Sequence, residues 1–89
     1  MKFEPSKVQD FISLFEERKN TIVSQNGCRH VELLKDASEE NVYYTLSHWD
    51  LEEDLNSYRE SDFFKDTWGL TKRLFAGKPA AYSLVKIDQ

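Results

Sequence analysis

The chain has 89 residues, a formal net charge of −4 and one cysteine, which predicts one small domain over residues 1–89 without an intrachain disulfide. The acidic balance argues against nucleic-acid binding, and no apolar run approaches the roughly 20 residues of a membrane span. We therefore expect a cytoplasmic domain, and one that gains stability by oligomerising because so short a chain builds only a small core.

The first predicted element is a helix over residues 6–25, because apolar side chains recur on one face at helical spacing. Ser6 and Gln9 have the spacing of a capping box, and Gly27 supplies the positive φ with which helices often end. Only residues 1–4 precede this helix, which predicts a shortened first strand. We expect either an internal start at Met1 or a trimmed amino terminus.

Two strands are predicted after the helix, over residues 28–34 and 42–49, because both segments alternate and the second is rich in aromatic residues. The short polar connection over residues 35–41 predicts a hairpin and therefore antiparallel pairing. Residues 82–87 alternate again and predict a strand that closes the chain.

Two helices are predicted between the hairpin and the last strand. Asp50 and Glu53 form a second capping-box pattern, which predicts a helix over residues 51–59. Ser61 caps a further helix, which ends at Gly77. The resulting order is that of an α+β protein, the ferredoxin-like split βαβ arrangement with an antiparallel sheet.

The middle strand predicts a homodimer, because in this arrangement the helices cover only one face of the sheet. One face carries Val42, Tyr44, Leu46 and His48, and the other carries Tyr43, Thr45, Ser47 and Trp49. Both faces present large apolar side chains, so neither is typical of a solvent-facing surface. A second copy that packs sheet to sheet would bury the face that the helices leave open.

The string from Ser47 to Phe64, with Gly27-Cys28 upstream and residues 78–83 downstream, resembles the antibiotic biosynthesis monooxygenase family over nearly the whole chain. The resemblance implies a dimeric α+β barrel. It also implies oxidation of quinols or polyketides with no metal or other cofactor. The corresponding function is a cofactor-independent monooxygenase, an oxidoreductase acting on a quinol, anthrone or similar phenolic. The alternative is a non-catalytic dimeric barrel that binds a small hydrophobic ligand or acts in a stress response.

The resemblance and the strand and helix patterns together give candidate site residues, some of which also have a plainer structural interpretation. Trp49 matches a tryptophan that lines the cavity in some members, although it also suits the core. Tyr58 stands where many quinol-oxidising relatives have histidine, and a phenol with a pKa near 10 is a poor base at neutral pH. His48 is the default base, or an interface histidine. Phe64 and Trp68 are expected to line the substrate pocket.

Other chemistries are disfavoured by the sequence. The haem-degrading members of the family need an asparagine, a tryptophan and a histidine at positions that do not match here. Cys28, His30 and His48 lack metal-ligand spacing, so no metal site is predicted. Two acidic clusters, Glu39–Glu40 and Glu52–Asp54, are expected to be solvated at a turn and in the first turn of a helix.

Overall fold

The computed structural model describes residues 1–76 and 83–87, with residues 83–86 described by their backbone. The elements in chain order are α1 (Val8–Val23), β1 (Cys28–Lys35), β2 (Tyr43–Trp49), α2 (Glu52–Glu60), α3 (Asp62–Lys72) and β3 (Ser83–Ile87). A 3₁₀ turn over Pro5–Lys7 leads into α1. The α+β class and the predicted element order are confirmed. No helix of the described residues is long and apolar enough to cross a membrane.

The β1–β2 hairpin is antiparallel, as predicted, and Lys35 pairs with Tyr43 next to the turn. Asp36 organises this turn. Its carboxylate accepts the backbone N–H groups of Ser38 at 2.9 Å and Glu39 at 2.8 Å, and the hydroxyl of Tyr44 at 2.8 Å. One side chain therefore holds the connection together and ties it to the following strand.

The third strand pairs differently from the predicted antiparallel pattern, because β3 runs parallel to β2 from Thr45–Ser83 to Trp49–Ile87. The sheet order is β1-β2-β3. Helices α2 and α3 lie between β2 and β3 in the chain, and a long helical connection of this kind allows parallel pairing. Residues Met1–Glu4 contact this edge of β2 only at its start, where Met1 and Tyr43 exchange backbone hydrogen bonds. Further along the same edge, β3 pairs with β2 and runs in the same direction.

Two of the three predicted helix caps are wrong. Ser6 lies inside the 3₁₀ turn, and Lys7 precedes α1 without a capping side chain. Leu51 rather than Asp50 precedes α2, again without a capping side chain. Instead, Nε–H of Arg29 donates to both carboxylate oxygens of Asp50, at 2.7 and 2.9 Å. A charged partner from another element has displaced the local cap.

The other predicted helix ends are largely confirmed. Ser61 caps α3, because its hydroxyl oxygen accepts the N–H of Phe64 at 3.1 Å. Gly27 follows α1 with φ +81, as its position predicted. Helix α3 ends earlier than predicted, at Lys72, and Gly77 lies outside the described residues.

The core lies between the helices and one face of the sheet, in two clusters of buried side chains. The first contains Phe15, Ile22, Cys28, Val31, Trp49 and Leu55. The second contains Met1, Phe3, Phe11, Tyr43 and Phe75. A bulge between Cys28 and His30 turns the buried Cys28 to the same face as Val31. The alternation of β2 leaves Tyr44, Leu46 and His48 on the other face.

Candidate functional site

A cavity of about 330 Å³ lies between the helices and the covered face of the sheet, where residues of both core clusters line it. Helix α1 contributes Phe11 and Phe15 to its lining, and α3 contributes Phe64 and Trp68. The volume lies at the low end of the range of about 300–1,000 Å³ that small-molecule sites occupy. Its predominantly aromatic and aliphatic lining suits a small apolar ligand.

Trp49 forms part of the cavity floor and is completely buried. Its indole Nε1 donates a hydrogen bond to Oγ of Ser47 at 3.0 Å, so the one polar group of the ring is satisfied inside the domain. The indole stacks on the ring of Tyr58, with centroids 5.2 Å apart and planes 29° apart. Trp49 is therefore both a core residue and a lining residue, which combines the two interpretations of the sequence.

Tyr58 lies on α2, above Trp49, and its ring also meets the edge of Phe64 at a centroid distance of 5.1 Å. Burial raises the pKa of the Tyr58 phenol to about 12, and the nearby Cys28 thiol adds to this shift. The phenol is therefore protonated at neutral pH. In this state Tyr58 can donate a hydrogen bond but does not accept a proton as a general base.

Trp68 lies one turn after Phe64 on α3, and both line the cavity. The indole of Trp68 packs edge-on against Phe75, with centroids 5.7 Å apart. Phe75 belongs to the second core cluster. Trp68 consequently connects the cavity wall to the packed core, which restricts its ring to a small range of orientations.

His48 does not line the cavity, because neighbouring residues of a strand point to opposite faces and Trp49 takes the covered one. It lies opposite His30 in the hairpin register, and His30 is exposed beside Glu32, with Nε2 3.7 Å from the carboxylate. The structure thus brings Trp49, Tyr58, Phe64 and Trp68 together and places His48 on the other side of the sheet.

Two arginines that the sequence analysis did not identify also line the cavity. They are Arg18 of α1 and Arg59 of α2. Nη1 of Arg18 donates to the Asp66 carboxylate and to the Thr67 hydroxyl, each at 2.8 Å. Its guanidinium also lies 5.5 Å from the centre of the Phe63 ring. The sequence feature that could have identified Arg18 as a lining residue is helical spacing, since Arg18 follows Phe15 by three residues.

A family model for antibiotic biosynthesis monooxygenases matches residues 1–68. The chain belongs to this family. The match includes Trp49, Tyr58, Phe64 and Trp68, so all four aromatic lining residues lie inside it. No curated protein and no solved structure matches the chain. Domains of the antibiotic biosynthesis monooxygenase family commonly dimerise and bind small molecules.

The cavity of this monooxygenase-family domain carries no carboxylate or imidazole among the described lining residues. Its polar groups are hydroxyls, including those of Ser47, Thr67 and Tyr58, together with the two guanidiniums. Within residues 1–76 and 83–87, no three histidine, cysteine or acidic side chains form a group that could hold a metal ion. Such a site can orient a planar ring and stabilise an oxygen anion, but its own groups do not remove protons at neutral pH.

Proposed function

We propose that the protein is a cofactor-independent monooxygenase that acts on a quinol, an anthrone or a similar phenolic. The observation that carries the proposal is the aromatic cavity lined by the stacked Trp49 and Tyr58 in a member of the antibiotic biosynthesis monooxygenase family. Stacked rings favour a planar aromatic substrate. Hydroxyl and guanidinium groups favour its ionised oxygen.

The reaction that this cavity would support balances without a cofactor. An anthrone and dioxygen give an anthraquinone and water: the CH₂ carbon of the substrate loses two hydrogens and gains one oxygen atom. The substrate reacts as its enolate, which gives an electron to dioxygen. Arg18 and the protonated Tyr58 lower the energy of that anion, so the proton can leave to water without a general base.

A second function, binding without catalysis, is favoured by one observation. None of the described lining residues is an acid or a histidine, and Tyr58 has a pKa of about 12. A general base typically contributes 10²–10⁴-fold to a rate. In this second proposal the cavity holds a small hydrophobic molecule, and the domain acts as a carrier or in a stress response.

We also propose that the protein is a homodimer whose subunits meet through the sheet face that the helices leave open. Leu34, Tyr44 and Leu46 lie on this face and are only half-buried within one chain. A second copy would remove their apolar surface from water. Light scattering at micromolar concentration tests the proposal: we expect twice the chain mass of 10.5 kDa, and a stable monomer would contradict it.

Oxygen uptake by the metal-stripped protein distinguishes the two functions. The substrates are a panel of quinols and anthrones, and the variants are Trp49→Phe and Tyr58→Phe. Tyr44→Phe is the matched control, because it makes the same chemical change outside the cavity. Thermal melting of every variant separates loss of activity from loss of folding.

The monooxygenase proposal predicts uptake above the rate of autoxidation that falls in Trp49→Phe and Tyr58→Phe but not in Tyr44→Phe. Uptake that neither cavity variant changes would place the reaction elsewhere. Binding of the same molecules by calorimetry, without uptake above autoxidation, would support the non-catalytic function instead.

A further inference from the structure

The charged side chains that line the cavity are both arginines, although the chain as a whole carries a net charge of −4. The two differ in their surroundings. Arg18 is mostly buried, and the Asp66 carboxylate at 2.8 Å offsets its charge. Arg59 is exposed, and among the described residues no carboxylate lies within ion-pair distance of it. Of the two arginines, Arg59 is therefore the one whose charge is not neutralised by an ion pair with a described carboxylate.

The position of Arg59 places this charge at the opening. Arg59 follows Tyr58 directly on α2, and its side chain both lines the cavity and reaches solvent. Tyr58 and Trp49 lie further inside, where their rings stack. A ligand whose rings contact this stack would extend its outer end toward the guanidinium of Arg59.

We propose that the cavity selects aromatic molecules that carry a carboxylate, and that Arg59 is the specificity-determining residue that pairs with it. This inference rests on the proposed binding of a planar aromatic molecule and adds a substrate class to it. The planar guanidinium matches a carboxylate with two parallel hydrogen bonds. The inner end of the ligand, with its phenolic oxygen, would lie near the hydroxyl groups and Arg18.

A purely structural role for Arg59 predicts a different result. Arg59 lies in the last turn of α2, where a cation stabilises the negative end of the helix. Loss of that interaction would change the stability of the protein. It would not change the ratio of affinities for two ligands that differ only in charge, so this ratio is the measurement that distinguishes the two roles.

The test uses calorimetric titration of the full chain with 6-hydroxy-2-naphthoate, whose hydroxyl and carboxylate lie at opposite ends of the rings, and with 6-hydroxy-2-naphthamide, its uncharged analogue of nearly equal shape. The proteins are the wild type, Arg59→Gln and the control Arg73→Gln, whose exposed arginine does not line the cavity. We expect the acid to bind about 10-fold more tightly than the amide in the wild type and the control. In Arg59→Gln this preference should fall below about twofold, while the affinity for the amide is unchanged.

Three results would overturn the inference alone: equal binding of acid and amide by the wild type, an unchanged preference in Arg59→Gln, or an equal loss of both affinities in that variant. Each of them leaves the aromatic cavity intact as a binding site, because the amide still binds to the wild type. Failure of both ligands to bind to the wild type would overturn the inference and the proposed binding of planar aromatics together.

Discussion

Replacing Gly27 with alanine should destabilise the protein, whereas the same replacement at Gly69 should stabilise it. Gly27 has φ +81, a conformation that costs a residue with a Cβ about 1–2 kcal/mol. A Cβ there would also overlap the carboxylate of Asp54 and lie 2.7 Å from the Asp54 Cβ. Moving this side chain breaks its hydrogen bond of 3.2 Å with Asn26, an exposed contact worth about 0.5 kcal/mol.

The expected net loss in the free energy of unfolding is about 1–2 kcal/mol, because alanine also stiffens the unfolded chain, and this gain of about 0.5 kcal/mol offsets the lost hydrogen bond. For a domain of this size the loss corresponds to a fall in Tm of about 10 °C. Gly69 lies inside α3, and a Cβ there would meet no atom within 4 Å. Its replacement should add about 0.5–1 kcal/mol through helix propensity alone.

Urea unfolding followed by far-ultraviolet circular dichroism measures both variants, with the protein concentration held equal because any dimerisation would make stability depend on it. The Asp54→Ala background completes a double-mutant cycle. Two of the three close contacts of the new Cβ involve atoms that Asp54→Ala removes, so the penalty at Gly27 should shrink there. A Gly27→Ala variant as stable as the wild type, or a loss of stability in Gly69→Ala, would refute the reasoning.

Ser61→Ala should lower the free energy of unfolding by about 1 kcal/mol by removing the cap of α3, whereas Ser6→Ala should leave it nearly unchanged because Ser6 caps no helix; equal losses in urea unfolding would contradict this. Spectrophotometric titration should show Tyr58 ionising near pH 12, and Tyr58→Phe should remove this contribution. Because the folded pKa of Tyr58 is raised from 10.0, the associated stability is present below pH 10 and is lost as the pH rises through 12. The N–H groups of Glu39 and Ser38 and the Tyr44 hydroxyl lower the pKa of Asp36 from 3.8 to about 2, so its contribution is present above pH 3.8 and is lost as the pH falls through 2. Asp36→Ala should therefore be less stable than the wild type at pH 7, with a difference in urea midpoint that narrows toward pH 2, and a constant difference would argue against this assignment.

The parts of the fold that the sequence predicted are those that depend on neighbouring residues. Ser61 caps α3 because the N–H that it accepts belongs to Phe64, three residues away. Asp50 has an equally good local pattern, but Arg29 lies 21 residues upstream and binds its carboxylate. The parallel pairing of β3 joins residues that are far apart in the chain, such as Thr45 and Ser83, and no local pattern describes it.

In the candidate site, too, local patterns predict some residues, whereas others depend on how distant segments pack. The aromatic residues Trp49, Tyr58, Phe64 and Trp68 follow from strand alternation, from helical spacing and from the family resemblance. Arg18 and Arg59 were missed because arginine is usually interpreted as a surface residue. Their long side chains lie along apolar surface and carry the charged group beyond the face from which they start. Only the packed structure shows where these groups end.

The position of Trp49 and Trp68 has a spectroscopic consequence. They are the only two tryptophans of the chain, and both line the cavity. The completely buried indole of Trp49 should emit at shorter wavelengths than the partly exposed indole of Trp68, and Tyr58, stacked on Trp49, can transfer excitation energy to it. Intrinsic fluorescence therefore reports on the interior of the cavity, and each single-tryptophan variant would follow one wall of it without an added label.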